Sequence, residues 1–510
     1  MKTILNRFFD GSTTNSFASA YFGHFVQNLG VFAVIHGNPP LLFFSLSLIL
    51  KENTEKINHK APLIFKINIL NISQDGGGAM KERKYLDCFS SCSRGGEPMP
   101  HGFKKKAALF FTVMGPGMIT AFADNDAGGI ATYVTAGAHY GYAMLFTLLI
   151  STICLGVAQE ISARTGLVTG KGLFVLIKEE YGKYCCIFLM VILLIANVGT
   201  TVSEFSGIAI ASETFGIDVR FAVIAAAILI WFLVVHANYS AVEKIFFILC
   251  TTFFAYIITG FMANPVWGDV IKATFIPEVS TDSDFLLIAM GIVGTTITPW
   301  GQFYVQASVV DKGLCKEQYR YVAADVWIGT FFTGLVAFFV IVATAVTLYG
   351  TGYQAENLAD AAQALAPLAG NYAKWLFGIG LLGASLLAAI ILPLSTAYAV
   401  CEALGYPHGI SKKYKEAKVF FLIYTGLIMV GAGIVLLPAS LFYHLMIAAQ
   451  ILNGVLLPPV LIFMLLIAGN EKIMGKYKNP PVYQFITWIF TIFIILLTIM
   501  LFYTNVIALM

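Results

Sequence analysis

Long apolar stretches recur along the chain from about residue 107 onward, separated by short polar loops. The hydrocarbon core of a bilayer is about 30 Å thick, so a helix of about 20 apolar residues can cross it. Stretches of this length predict a helical membrane protein with eleven spans. The predicted spans are residues 107–138, 142–162, 184–208, 221–236, 242–262, 285–310, 325–349, 374–400, 417–437, 441–468 and 483–507.

Basic residues are divided unevenly between the two alternating sets of loops. Eighteen lysines and arginines, beginning with Lys104 to Lys106, fall in one set, and only Arg220, Lys272 and Lys374 fall in the other. Basic residues are enriched in short cytoplasmic loops. The pattern therefore predicts a cytoplasmic N-terminus and an extracytoplasmic C-terminus.

Residues 1–100 do not follow this pattern. Their apolar stretches are mixed with asparagine, lysine and glycine, and Pro39-Pro40 interrupts the longest of them. We interpret residues 1–100 as an N-terminal extension that is poorly ordered or that results from a mis-assigned start, and we assign it no function. Residues 101–510 form the predicted membrane domain of about eleven helices.

Helix-breaking residues interrupt the first and the sixth predicted spans at corresponding positions. The first span contains Gly115-Pro116-Gly117 and then Asp124 to Gly129, and the sixth contains Gly291 to Gly301. Glycine and proline weaken a helix, and irregular backbone is tolerated in a membrane only where it faces protein or a wet cavity. Paired breaks of this kind are typical of inverted-repeat transporters, whose sites lie near the midplane. The sequence predicts an all-α polytopic membrane protein, a 5+5 inverted repeat with broken helices 1 and 6 plus an eleventh helix.

Carboxylates lie inside these spans. Asp124 and Asp126 follow the first break and Glu204 lies in the third span, with no lysine or arginine in mid-span to neutralise them. Carboxylates in a membrane are costly unless paired, which makes them functional candidates. Carboxylate and carbonyl oxygens are hard ligands that suit Mg²⁺, Ca²⁺ or Mn²⁺. We predict a divalent metal ion as the partner; the alternative is a neutral carboxyl that only holds helices together.

Several motifs occur in the order and with the spacing of the Nramp family of divalent metal transporters, which the chain resembles over residues 107–470. They are Gly115-Pro116-Gly117, Asp126, Ala136-Gly137-Ala138, Gly141-Tyr142 and Ser162 to Lys171. The resemblance implies the LeuT-type fold and secondary transport by alternating access.

The chain departs from the family pattern at positions expected to bind the ion. The family's Asp-Pro-Gly-Asn becomes Asp126 to Gly129, so that Gly129 replaces the asparagine ligand, and its Ala-x-x-Met becomes Thr295 to Thr298. Thr298 offers a hard hydroxyl in place of a thioether, which removes a preference for softer metals. Asp124 adds a carboxyl group at a position where the family usually has an uncharged residue. This combination resembles the Nramp-related magnesium transporter branch, which implies uptake of Mg²⁺, and also of Mn²⁺, into the cytoplasm.

The predicted site comprises residues of both breaks. The small side chains at Gly129 and Thr298 would leave room for a partly hydrated ion. The residues are Asp124, Asn125, Asp126, Gly129, Thr295 and Thr298, with Glu204 in a proton-transfer or gating role and Gln450 close to the site.

The residues of the sixth span do not predict proton-coupled transport. Proton-coupled family members have a histidine after the proline and a second one nearby, where this chain has Trp300 and Val305. Potential-driven uptake is therefore favoured. The alternatives are a proton-coupled Mn²⁺/Fe²⁺ transporter of the ordinary Nramp type and a LeuT-type carrier of an organic substrate.

The composition excludes several other classes of protein. Hydrophobic residues make up 58% of the chain and charged residues only 12%, against about a quarter charged in soluble domains. The sequence shows no nucleophile–base pair, phosphate loop or zinc motif, and the basic residues are scattered over loops. We expect no enzyme activity, no nucleic-acid partner and no cofactor besides the transported cation. The expected surroundings are the lipid bilayer of a prokaryotic inner membrane; the oligomeric state is left open, and a monomer is compatible with the sequence.

Overall fold

The structure, a computed structural model, describes residues 110, 112–236, 239–278, 280–351, 371–436 and 442–508. The interpretation of residues 1–100 as an extension therefore lies outside the described residues.

Helices make up all of the regular structure in these ranges, together with two short 3-10 turns at Lys316–Gln318 and Gly475–Tyr477. The helices are α1 (Pro116–Ala123), α2 (Ala127–Tyr140), α3 (Leu145–Thr169), α4 (Leu173–Tyr181), α5 (Lys183–Thr214), α6 (Val219–His236), α7 (Tyr239–Thr252), α8 (Phe254–Met262), α9 (Trp267–Phe275), α10 (Ser283–Thr296), α11 (Pro299–Asp311), α12 (Tyr319–Leu348), α13 (Asn371–Leu404), α14 (Lys418–Val435), α15 (Phe442–Gly469), α16 (Glu471–Met474) and α17 (Pro481–Ala508).

Ten stretches in the described part of the chain are long and apolar enough to cross a membrane. The first predicted span is not among them; it is formed by two short helices, α1 and α2, of 8 and 14 residues. We call α1 with α2 the first broken span, and α10 with α11 the second broken span. The prediction of eleven helices with breaks in the first and the sixth is confirmed. The orientation of the termini stays a prediction.

The second broken span lies at the centre of the bundle. In its most apolar 18-residue stretch 94% of the residues are buried, against 22% in the stretches of α6 and α17. These two outer helices expose large apolar side chains such as Ile228, Phe232 and Phe493. A helix that is buried all round is expected in the core, whereas an apolar outer surface suits contact with lipid.

The start of α1 is held by residues of other helices. Gly115, at the N-cap, has φ 146°, which favours glycine, and its own helix supplies no side-chain cap. The carboxylate of Asp325 in α12 instead accepts backbone hydrogen bonds from Gly115, Gly117 and Met118 at 3.1, 2.7 and 3.3 Å. Since a carboxylate satisfies the free N–H groups of a helix start, α12 anchors the first broken span.

Arg164 lies inside a helix and is buried, whereas the sequence placed it in a loop after a span ending at residue 162. Helix α3 continues to Thr169, and Arg164 is only 5% exposed. Its guanidinium forms an ion pair with Glu160 at 2.8 Å and donates to the carbonyl of Tyr477 and to Asn479 Oδ1, both at 2.5 Å. A buried charge is tolerated only when it is paired and hydrogen-bonded, as Arg164 is here.

Tyrosines complete the surroundings of this ion pair. The hydroxyl of Tyr319 in α12 donates to Glu160 Oε1 at 2.8 Å, and that of Tyr483 in α17 donates to Glu160 Oε2 at 3.1 Å. Glu160 and Arg164 therefore join α3 to α12, to α17 and to the segment before α17.

Candidate metal site at the two helix breaks

The second half of each broken span begins with an oxygen-bearing side chain. Asp126 is the N-cap of α2, and its Oδ1 accepts the backbone N–H of Gly129 at 2.6 Å. Thr298 is the N-cap of α11, and its Oγ1 accepts the backbone N–H of Gly301 at 3.3 Å. An N-cap oxygen satisfies one of the free N–H groups at a helix start. Two helix N-termini, each with a capping oxygen, thus face the interior of the bundle.

Asp124 connects the two breaks. The Thr298 hydroxyl donates to Asp124 Oδ1 at 2.5 Å, and the Nε2 group of Gln159 in α3 donates to Asp124 Oδ2 at 2.9 Å. The hydroxyl of Thr295 donates to the main-chain carbonyl of Asp124 at 3.4 Å. The structure therefore brings the predicted ligands Asp124, Thr295 and Thr298 together.

Asp126 is held by α15. The Nε2 group of Gln450 donates to both carboxylate oxygens of Asp126, at 2.9 and 3.1 Å. The side chain of Asn453 donates to Gln450 Oε1 at 3.1 Å, which fixes the orientation of the amide. Gln450 thus lies next to the site, as the sequence analysis expected of it.

Gly129 marks the point at which oxygens of both breaks converge. A Cβ atom at this position would lie 2.5 Å from Thr295 Oγ1, 3.2 Å from the carbonyl oxygen of Asp124 and 3.2 Å from Asp126 Oδ1. The Thr295 hydroxyl thus lies where a side chain at position 129 would begin, and room for a partly hydrated ion beside Gly129 stays a prediction. The glycine allows a hydroxyl of the second broken span to approach the first.

Asn125 and Glu204 lie at the edges of this arrangement. The Asn125 side chain donates to the main-chain carbonyl of Thr333 in α12 at 3.0 Å, so its amide nitrogen is engaged away from the two aspartates. Glu204 in α5 accepts the backbone N–H of Ala127 at 3.0 Å, next to the Asp126 cap, while its Oε1 has no hydrogen-bond partner in the described part of the chain. Glu204 therefore contacts the start of α2 rather than the convergence point.

Gln159 is the site residue that sequence reasoning missed. It is fully buried and contacts Asp124 directly, and its Oε1 has no partner among the residues described. In the sequence, Gln159 is recognisable only as an amide side chain beside Glu160 in an apolar span. Its position along α3 does not show which residue of another helix it contacts.

The charge of this region is negative and enclosed. Asp124, Asp126 and Glu204 are each 0% exposed, and none of them takes part in an ion pair within the described ranges. Buried carboxylates are costly without a cation or a proton. Across the described residues no group of three or more His, Cys, Asp or Glu side chains is placed to hold a metal. A cation here must therefore also use hydroxyl, amide and carbonyl oxygens, all of them hard ligands.

Comparisons with known proteins agree with the fold. Residues 117–504 match the model of the family Nramp, natural resistance-associated macrophage protein-like. The chain is 27% identical over 431 residues to the divalent metal cation transporter MntH of Latilactobacillus sakei, covering 79% of this chain and 91% of that protein. It is 26% identical over 399 residues to MntH of Bacillus subtilis, covering 76% and 91%.

A solved structure shows the same architecture. The crystal structure of the Eremococcus coleocola manganese transporter in complex with an aromatic bis-isothiourea substituted compound matches with a TM-score of 0.67 at 19% identity, covering 78% of this chain and 87% of that one. The predicted LeuT-type fold is confirmed by this match and by the two broken spans. Because the family model spans α1 to α17, the chain belongs to the Nramp family.

Proposed function

We propose that this protein is a secondary transporter or facilitator that moves divalent metal ions across the membrane by alternating access. The observation that carries the proposal is the convergence of oxygens from Asp124, Asp126 and Thr295 around Gly129. These oxygens are buried, carry net negative charge and lack a basic partner among the described residues. A mobile cation balances the charge. An organic carrier is disfavoured, because the two aspartates would repel a substrate carboxylate.

Manganese is the first cargo to test. The relatives described above are named divalent metal cation transporters, and the solved neighbour is a manganese transporter. These names favour the ordinary manganese-transporting type over the magnesium preference implied by the sequence motifs.

Magnesium is the second candidate because of the ligand set. The Thr298 hydroxyl lies 2.5 Å from Asp124 Oδ1, where a thioether would not form this strong hydrogen bond. A site built only of hard oxygens discriminates poorly between Mn²⁺ and Mg²⁺. We therefore propose a manganese carrier that also admits Mg²⁺.

Uptake into proteoliposomes under an inside-negative potential tests both candidates. The chain is reconstituted with a metal-sensitive dye inside the liposomes, and Mn²⁺ entry is measured with and without excess Mg²⁺. Saturable Mn²⁺ entry that excess Mg²⁺ reduces supports the proposal. The absence of saturable Mn²⁺ entry would overturn it, and Mn²⁺ entry that excess Mg²⁺ leaves unchanged would exclude magnesium as a second cargo.

Thr298→Met is expected to weaken competition by magnesium. The substitution removes the hydroxyl that bonds Asp124 and adds a soft donor. Losing one oxygen ligand costs a hard ion on the order of 1–2 kcal/mol, so the Mg²⁺ concentration that halves Mn²⁺ uptake should rise about tenfold. Thr298→Ser, which keeps the hydroxyl, is the matched control. An unchanged inhibitory concentration in the methionine variant would show that Thr298 does not set selectivity.

Gly129→Asn is expected to reduce uptake strongly, and Thr295→Ala is expected to restore part of it in the double variant. A Cβ atom at position 129 meets Thr295 Oγ1 at 2.5 Å, so an asparagine fits only after that hydroxyl is removed. Overpacking of this kind costs about 1–3 kcal/mol, which corresponds to a loss of uptake rate of roughly fivefold to 150-fold. Mn²⁺ uptake and expression are measured for both single variants and the double variant. Gly426→Asn is the control, because a Cβ atom added at Gly426 in α14 would meet no other atom within 4 Å. If the losses of uptake in the two single variants simply add in the double variant, positions 129 and 295 do not compete for the same space.

We propose that the membrane potential can drive uptake without an obligatory proton. Trp300 and Val305, which replace the expected histidines, are both fully buried and carry no proton. A divalent ion crossing 100 mV gains about 4.6 kcal/mol, twice the value for a single charge. Glu204, with one unpartnered oxygen, is the residue through which a coupled proton would pass.

A pH-sensitive dye recorded together with Mn²⁺ entry tests this point. Mn²⁺ uptake without proton entry, in the wild type and in Glu204→Gln, supports uncoupled transport. Proton entry that Glu204→Gln abolishes would instead establish the proton-coupled alternative.

A further inference from the structure

A line of polar residues continues from the metal site along α11. Thr298, Gln302 and Gln306 follow one another at intervals of four residues, so they lie on one face of the helix. All three are 0% exposed. From Thr298 to Gln306 the line rises by eight residue steps, or about 12 Å at 1.5 Å per residue. It therefore leads from the break into the second half of α11, which ends at Asp311.

The far end of this line lies against a loop. Gln306 Nε2 donates to the main-chain carbonyl of Lys171, at 2.8 Å, in the segment between α3 and α4. The side chain of Lys171 is exposed and pairs with Glu179. The charge pattern of the sequence predicts this segment to be cytoplasmic. The polar line therefore joins the site to the predicted cytoplasmic surface.

The amides on this line have unused hydrogen-bonding groups. Neither Oε1 nor Nε2 of Gln302 has a partner within the described ranges, and Gln306 Oε1 also has none there. An amide that serves only to pack helices is normally hydrogen-bonded, since a buried unpaired polar group costs free energy. Both side chains are therefore suited to contact with something that is not part of the helix bundle.

The neighbouring face of α11 is apolar by contrast. Val305 and Val309 pack in a buried cluster with Val113, Ala163 and Val322. One face of α11 is polar and the neighbouring face is apolar, although the helix is buried throughout. This difference indicates that the polar face has a role other than packing. Gly166 of α3 lies opposite Gln306, where a Cβ atom would come within 3.1 Å of Gln306 Cγ. Because Gly166 has no side chain, α3 can approach Gln306 closely at this point.

We propose that Gln302 and Gln306 form a second, weaker binding step for the hydrated divalent cation, between the helix breaks and the cytoplasm. This inference rests on the proposed function in metal transport. Amide oxygens are hard ligands, as Mg²⁺ and Mn²⁺ require, and they are neutral. An uncharged binding site that follows the two carboxylates binds the ion more weakly than they do. Conduction requires binding that is weak enough for the ion to leave. The retained water supplies the remaining coordination.

Cysteine labelling tests whether this line is accessible to water. Gln302→Cys and Gln306→Cys are made in a background in which the eight native cysteines are replaced, and a positively charged thiol reagent is added to the cytoplasmic side of membrane vesicles. Phe303→Cys is the matched control, because Phe303 lies on another face and stacks on Phe174 at 4.2 Å. We expect labelling at positions 302 and 306, slowed at least about threefold by Mn²⁺, and no labelling at 303. Labelling at 302 no faster than at 303 would overturn the proposal.

Substitution of Gln302 separates a role in ion release from a role in packing. Gln302→Leu removes the unpaired amide, so we expect the melting temperature to be maintained or raised while the maximal Mn²⁺ uptake rate falls about tenfold, the effect of losing one hydrogen bond to a charged species. Equilibrium Mn²⁺ binding at the breaks should stay within about twofold of wild type, because the Gln302 amide forms no hydrogen bond with a described residue of the breaks. Gln302→Glu should bind Mn²⁺ more tightly and release it more slowly. Wild-type uptake rates in both variants would overturn the proposal.

The two proposals fail in different ways. If the wild-type protein carries no Mn²⁺ at all, metal transport itself is wrong, whatever the labelling shows. If it carries Mn²⁺ and positions 302 and 306 stay unlabelled, only the second binding step is wrong.

Discussion

Asp126→Ala is expected to abolish saturable metal uptake, with a loss of at least about a hundredfold, equivalent to about 2.7 kcal/mol. The substitution removes a buried negative charge, the N-cap of α2 and the partner of Gln450. The charge attracts the cation, and the cap keeps the oxygens of the first break in place. Initial rates of Mn²⁺ entry into proteoliposomes measure the effect.

Asp126→Asn serves as the control that separates charge from capping. Asparagine keeps an oxygen for the Gly129 N–H and has almost the same volume. We expect Asp126→Asn to unfold at a temperature close to that of the wild type and yet to lose most Mn²⁺ uptake. If the alanine variant transported at half the wild-type rate or more, Asp126 would not be a ligand.

Arg164→Met is expected to have the largest effect on stability, lowering the free energy of unfolding by about 3–5 kcal/mol. Methionine keeps the length of the side chain but leaves Glu160 without its cationic partner, and it removes the bonds to Tyr477 and Asn479. A buried charge that loses its partner is far more costly than an exposed one. Thermal unfolding in detergent, with wild type alongside, measures the loss.

Lys171→Met provides the matched comparison. Lys171 pairs with Glu179, but both side chains are about half exposed, at 44% and 47%. Exposed ion pairs contribute little, so this variant should unfold within about 1 °C of the wild type. Equal effects of the two substitutions would show that burial of the Arg164 ion pair is not what matters.

The architecture followed from the sequence because its signals are local and strong. Pro299 and the glycines near both breaks mark interruptions of a helix by backbone chemistry alone. Span ends were less well predicted, as α3 shows. The predicted span ends at residue 162, before Arg164, while in the folded protein the guanidinium of Arg164 donates to Glu160 and Asn479 and the helix continues to Thr169.

Several residues of the candidate site could be predicted from the sequence, but their arrangement could not. Intramembrane carboxylates pointed to Asp124 and Asp126, and the motif pointed to Thr298. The contact between Gly129 and Thr295 depends on two helices that are far apart in sequence, so no local pattern reveals it. Gln159 was missed for the same reason, because its partner is set by the packing of α3 against the first break.

We propose that the two helix breaks together hold the transported ion. Crystals grown with Mn²⁺ and measured at a wavelength where manganese scatters anomalously test it directly. We expect one strong anomalous peak between the breaks, within about 2.6 Å of oxygens of Asp126 and of the Thr295 to Thr298 segment, and we expect it to disappear in Asp126→Ala. A peak elsewhere in the bundle, with wild-type uptake retained in Asp126→Ala, would contradict it.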